Sequence, residues 1–177
     1  MPQHPYVDLS LLTMLFLACI YDLAQRRIPN RLLAAGLSAA LVLHLVLFPA
    51  VALLSGFLAG AAVGLIMFLP LYIARTMAAG DVKLMAAVGA FTGPGLAFEI
   101  GLAAYAAGGL MALLIVLANG QARAAAANLA AILKPLLLRL AGVPLVPGGA
   151  HHATVGGMPY ALAITAGTLM MLWIRHT

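Results

Sequence analysis

Apolar residues run through this chain in blocks longer than a strand or a surface helix needs, with short polar breaks between them. Such blocks cover residues 6–24, 31–48, 51–74, 95–118 and 157–174. A bilayer core of about 30 Å takes about 20 apolar residues in a helix, so each block predicts a membrane span. Residues 82–93 (VKLMAAVGAFTG) form a shorter apolar segment closed by Gly93-Pro94-Gly95. At about 12 residues it is too short to cross comfortably, which predicts a short or tilted helix packed inside the bundle. The pattern therefore predicts an all-α membrane protein: a bundle of six transmembrane helices, one of them short.

Two segments refine that picture. In 121–141 (QARAAAANLAAILKPLLLRLA), Leu129, Ile132, Leu133, Leu136, Leu137 and Leu140 recur on one helical face, with Arg123 and Lys134 opposite and Leu138 as an exception. A charged face backed by an apolar one fits an amphipathic helix lying in the membrane interface, bent or ended at Pro135. In the third block, Gly56, Gly60 and Gly64 repeat every four residues. A face without side chains lets a neighbouring helix come close and gain van der Waals contact.

Composition agrees. Mean hydropathy is +1.12, and only 7% of the 177 residues are charged, whereas a soluble surface needs roughly a quarter. No polar stretch is long enough for a separate soluble domain, so one membrane domain over 1–177 is expected. The first block is not read as a cleaved signal peptide alone, because further spans follow and no small-residue cleavage site precedes the polar turn. The formal charge of +5 is scattered at helix ends rather than gathered into a nucleic-acid patch. If 82–93 crosses, Arg26, Arg27, Arg31, Arg75, Lys83, Arg123, Lys134 and Arg139 share one side and Arg175 takes the other. The positive-inside rule makes the crowded side cytoplasmic and puts the N-terminus outside. Cys19 is the single cysteine, which excludes an internal disulfide and a cysteine-based metal site.

The four acids, Asp8, Asp22, Asp81 and Glu99, each ask for a reason, since a carboxylate at the centre of a membrane helix costs at least about 2.5–3.5 kcal/mol. Asp8 and Glu99 fall near the outer ends of their helices, where water reaches them. Asp22 ends the first span and Asp81 opens the short fourth segment, and two crossings between them return the chain to the same cytoplasmic edge. Two carboxylates held close in a poorly solvated place share a proton, one serving as base toward water and the other as acid toward a carbonyl oxygen. Gly80 would let backbone or substrate approach Asp81. Spacing alone favours a structural reading, in which Asp22 pairs with Arg26 four residues on and Asp81 caps a helix.

Three motifs add to this. "YDLAQRRIPN" (21–30) resembles the D-x-x-x-x-x-I-P-N segment after the first helix of type IV prepilin peptidases. "AAGDVKLMAAVGAFTG" (78–93) resembles their GxGD-x-K motif, with Ala78 where the family carries its first glycine. "GGMPYALAI" (156–164) is similar to the Pro-Tyr start of their last helix. The resemblance implies a GxGD-type intramembrane aspartyl endopeptidase of the bacterial inner membrane. Such an enzyme cuts a basic leader from prepilins at the cytoplasmic face, without a cofactor, and its catalytic aspartates map onto Asp22 and Asp81. The chain's length points to the small, peptidase-only subgroup associated with tight-adherence (Flp-type) pili. Larger relatives carry a Cys-x-x-Cys zinc lobe and N-methyltransferase activity, for which this chain has neither the cysteines nor the room. The partners implied are a prepilin and membrane lipid, not nucleic acid. A pilin precursor, itself an apolar helix with a charged leader, would enter sideways from lipid.

Around the pair, Pro29 and Asn30 are expected to set the turn that positions Asp22. Lys83 either steadies local charge or snorkels to the interface, while Arg26, Arg27 and Arg31 read as topology anchors. His151-His152 sit in a Gly-rich loop without an acidic or cysteine partner, short of a metal site, and His44 reads as a packed or hydrogen-bonded imidazole. Two other function classes fit the same residues. One is a proton- or ion-coupled transporter with Asp22 and Asp81 as relay groups, although acids at one edge fit a transport path poorly. The other is a non-catalytic membrane subunit.

Overall fold

The structure is a computed structural model that describes residues 4–74, 76–120 and 159–177. The amphipathic segment 121–141, the His151-His152 loop, Arg75, Arg123, Lys134 and Arg139 lie outside the described residues. The chain divides into one compact unit of residues 1–108 and 158–177 and a second of 109–157. Of the second, the described part is the final turns of one helix and the Asn119-Gly120 turn.

Six α-helices and no strand occur among the described residues: α1 (Pro5–Gln25), α2 (Asn30–Leu47), α3 (Ala59–Ile73), α4 (Ala79–Thr92), α5 (Pro94–Ala118) and α6 (Tyr160–His176). Among the described residues, four spans are long and apolar enough to cross a membrane: α1, α2, α5 and the Leu53–Ile73 stretch that contains α3. Their outer faces carry large exposed apolar side chains, among them Phe16, Val46, Ile66 and Leu102.

The apolar blocks and the observed helices agree closely, with two informative differences. The third block does not run as one α-helix: Leu53–Leu58 forms a π-helical turn ahead of α3. The last helix starts at Tyr160, because Pro159, with φ −72° and ψ 87°, stands outside it as the N-cap. Backbone chemistry sets the other boundaries. α1 stops where Arg26 turns left-handed (φ 52°) and donates its N–H to Asp22 O at 2.9 Å. Gly93 ends α4 at φ 79°, a conformation glycine adopts without penalty, and Pro94 then opens α5, where a missing N–H costs nothing.

Helix α4 is short, as expected, and lies inside. Eleven of its fourteen residues are buried, and it packs against α1, α2, α3 and α6. Fourteen residues span only about 21 Å, so neighbours rather than lipid must cover this helix and its ends. The repeated glycines explain how it fits. A Cβ on Gly60 would strike the Gly89 carbonyl and come within 2.8 Å of Gly93 Cα, and one on Gly64 would strike the Met85 carbonyl. Helices α3 and α4 therefore run antiparallel with their backbones in contact. Lipid tails are as apolar as leucine, so this dispersion contact supplies the association that the hydrophobic effect supplies in water.

Helices α1 and α6 are also antiparallel. Asp8 and His176 meet at one end (3.5 Å), and Asp22 meets Ala161 at the other. Tyr6 and Trp173 are exposed at the Asp8 end, where amphipathic aromatic rings mark a membrane–water interface.

Candidate active site

The site grows from the helical period of α1. Leu11, Leu15, Ala18 and Asp22 follow one another on its buried stripe, so the geometry that buries leucines also carries the aspartate inward. Asp22 is 7% exposed and Asp81 6%. Asp22 Oδ2 accepts a hydrogen bond of 3.1 Å from the Ala161 N–H. That N–H belongs to the first turn of α6, whose own N-cap offers no side-chain acceptor. Asp22 thus satisfies from another helix one of the donors every helix start leaves open, and it does so where the helix dipole favours an anion.

Asp81 stands in the first turn of α4. The Ala78 backbone lies within hydrogen-bonding reach of its carboxylate, and Asp22 and Asp81 lie within electrostatic reach of each other. Both acids also serve helix starts: Asp81 stands in the first turn of α4 with the Ala78 backbone in reach, and Asp22 accepts from the first turn of α6. Neither role takes the carboxylates apart.

The two aspartate-bearing motifs are joined directly. Asn30 opens α2 after Pro29, which stands extended at φ −63°. Lys83 Nζ donates to Asn30 Oδ1 at 3.0 Å. A Cβ on Gly80 would lie 3.4 Å from Ile28 Cβ, so the Ile28-Pro29-Asn30 turn rests against the start of α4. Ala78, at the family's glycine position, has φ −79° and ψ 150°. Any L-residue adopts that extended conformation, so alanine there imposes no strain.

Sequence reasoning missed the contribution of α6. Beside Ala161, Tyr160 lies within electrostatic reach of Asp81. Its ring meets Phe68 edge-on (6.2 Å), and its hydroxyl occupies the space left by Gly108, 2.7 Å from where a Cβ would be. Phe68 stacks on Tyr105 (4.8 Å), whose hydroxyl donates to the Met67 carbonyl. Cys19 Sγ contacts Thr165 Oγ1 at 3.0 Å one turn from Asp22. The available signal was Pro159-Tyr160, a helix start without a side-chain cap, which needs an acceptor from elsewhere.

The remaining candidates lie apart from this pair. Asp8 is at the opposite end beside His176, its side chain 26% exposed, and Glu99 is exposed. His44 is buried between Phe48 and Phe57, its Nδ1 3.0 Å from the Ala40 carbonyl. Among the described residues no three His, Cys, Asp or Glu side chains gather as a metal site.

A multi-helix membrane fold with two buried carboxylates at one end suits either proton relay or hydrolysis, and the family comparison separates the two. Residues 9–117, more than half of the chain, match the type IV leader peptidase family, and the chain belongs to that family. The matched region contains Asp22 and Asp81 but stops short of α6. No curated protein and no solved structure matches the chain.

Proposed function

We propose that this peptidase removes the basic leader from Flp-type pilin precursors at the cytoplasmic face of the bacterial inner membrane, with Asp22 and Asp81 acting together on water. The observation that carries this reading is the burial of both carboxylates at one end of the helices, within electrostatic reach and apart from the other two acids. Residues 1–177 act as a single peptidase domain. The ionised member of the pair takes a proton from water as the water oxygen attacks the scissile carbonyl carbon. The protonated member gives its proton to the carbonyl oxygen. Collapse of the tetrahedral intermediate breaks the C–N bond, and a proton passes to the departing amine. Lys83, Asn30 and Pro29 hold the two motifs in register, and Gly80 keeps the start of α4 close to that turn. Such chemistry needs no metal and no cofactor.

The test is co-expression with an Flp-type prepilin and mass analysis of the pilin. Release of the leader at a single bond just before the apolar helix is expected. An unprocessed precursor, alongside a family peptidase that does process it, would refute the substrate assignment.

A further inference from the structure

A second site lies at the other end of the fold. A cavity of about 610 Å³ opens there, within the range of about 300–1,000 Å³ typical of small-ligand sites. Asp8 marks this end and Asp22 the other, and roughly 20 Å of α1 separates them, so the cavity takes no part in the chemistry proposed above. The π-helical turn Leu53–Leu58 supplies Ser55 to its lining. Single π turns are uncommon and concentrate at functional sites.

The lining specifies a ligand. It holds one acid, Glu99 of α5, and one base, Arg175 of α6, in a chain with only four acids and nine Lys and Arg residues. Two hydroxyl residues join them. Ser55 Oγ donates to Val51 O at 3.1 Å and Thr92 Oγ1 to Val88 O at 2.9 Å. With those hydrogens committed, the two oxygens have only lone pairs to offer. The Glu99 carboxylate lines the same cavity, and acceptors of this kind suit a primary ammonium with its three N–H donors. The Arg175 guanidinium suits an anion with paired oxygens, of which phosphate is the natural match. Leu96 and Ile174 add apolar wall, and the exposed Tyr6 and Trp173 place this end at headgroup depth.

We propose that this cavity binds the phosphoethanolamine headgroup of a membrane lipid, with the ammonium at Glu99 and the phosphate at Arg175. A phosphocholine headgroup has no N–H for the acceptors, and a phosphoglycerol headgroup has no cation for Glu99.

The full chain, placed in nanodiscs with equal phosphatidylethanolamine, phosphatidylcholine and phosphatidylglycerol, is examined by native mass spectrometry for retained lipid. Preferential retention of phosphatidylethanolamine is expected. Glu99→Gln and Arg175→Gln should each weaken it about ten-fold, the loss of one charged hydrogen-bonding group, and Ser55→Ala by less. Equal retention of phosphatidylcholine, or wild-type retention by both charge variants, overturns the proposal. Free phosphoethanolamine supplies the remaining arm. If it stabilises the chain in phosphatidylcholine discs against heat as well as the lipid does, the site belongs to a soluble ligand and the lipid assignment fails.

Discussion

Each end of the helices carries two of the four carboxylates, and the two ends treat them in opposite ways. At one end Asp8 is half-buried against His176 and Glu99 is exposed on the wall of a cavity. At the other, Asp22 and Asp81 are almost wholly buried, held by backbone groups. All four lie near helix ends, so position along the helix does not separate them. The difference comes from α4, a helix about 21 Å long that neighbours enclose on nearly every side. A carboxylate at the start of an enclosed helix is shielded from water, and a second one placed beside it is left with few solvent partners.

The most damaging way to break this contrast is to push α4 outward. Gly60→Leu drives a side chain into the Gly89 backbone, and overpacking against backbone costs about 3 kcal/mol or more. Loss of monodisperse protein on gel filtration in detergent is expected, whereas Gly95→Ala, whose Cβ would meet nothing within 4 Å, should leave the protein intact.

Ala161→Pro acts on the Asp22 side alone. It deletes the N–H that orients the carboxylate, at a first-turn position where proline suits a helix. Leader cleavage should fall about ten-fold or more through kcat, for a lost charged hydrogen bond of about 1.5–3 kcal/mol. Unchanged kcat in a folded variant would remove α6 from the site.

Asn30→Ala and Lys83→Met separate the two motifs. Each should slow cleavage several-fold, for a polar contact of about 1 kcal/mol, and the double variant should do little more than either single, because both delete one contact. Additive losses would show that the two residues act independently. The smallest effect is expected at the far end, where Asp8→Asn and Glu99→Gln lie away from the reacting groups and should leave cleavage within about two-fold.

Much of this arrangement was legible in the sequence for one reason: lipid admits few ways to place a polar group. Long apolar blocks gave the helices, the shortness of 82–93 gave an enclosed α4, and counting crossings put Asp22 and Asp81 at one end. What stayed hidden involves choices that residue type does not encode. Gly56, Gly60 and Gly64 announce a close neighbour without saying which helix it is. The π turn at Leu53–Leu58 leaves no mark in an apolar run. The donor to Asp22 is a backbone N–H, and every residue except proline has one, so nothing distinguishes Ala161 until the chain has folded. Ala78 was a departure from a motif, and its extended backbone shows why alanine fits.

The claim that Asp22 and Asp81 form one reacting unit is tested most directly by leader cleavage in Asp22→Asn, Asp81→Asn and the double variant, each at wild-type abundance. Groups that act as a unit are strongly non-additive. A paired site predicts that either single variant falls by roughly 1,000-fold or more, and that the double is no slower than the worse single. Near-full cleavage by either single variant, or losses that multiply in the double, would contradict it.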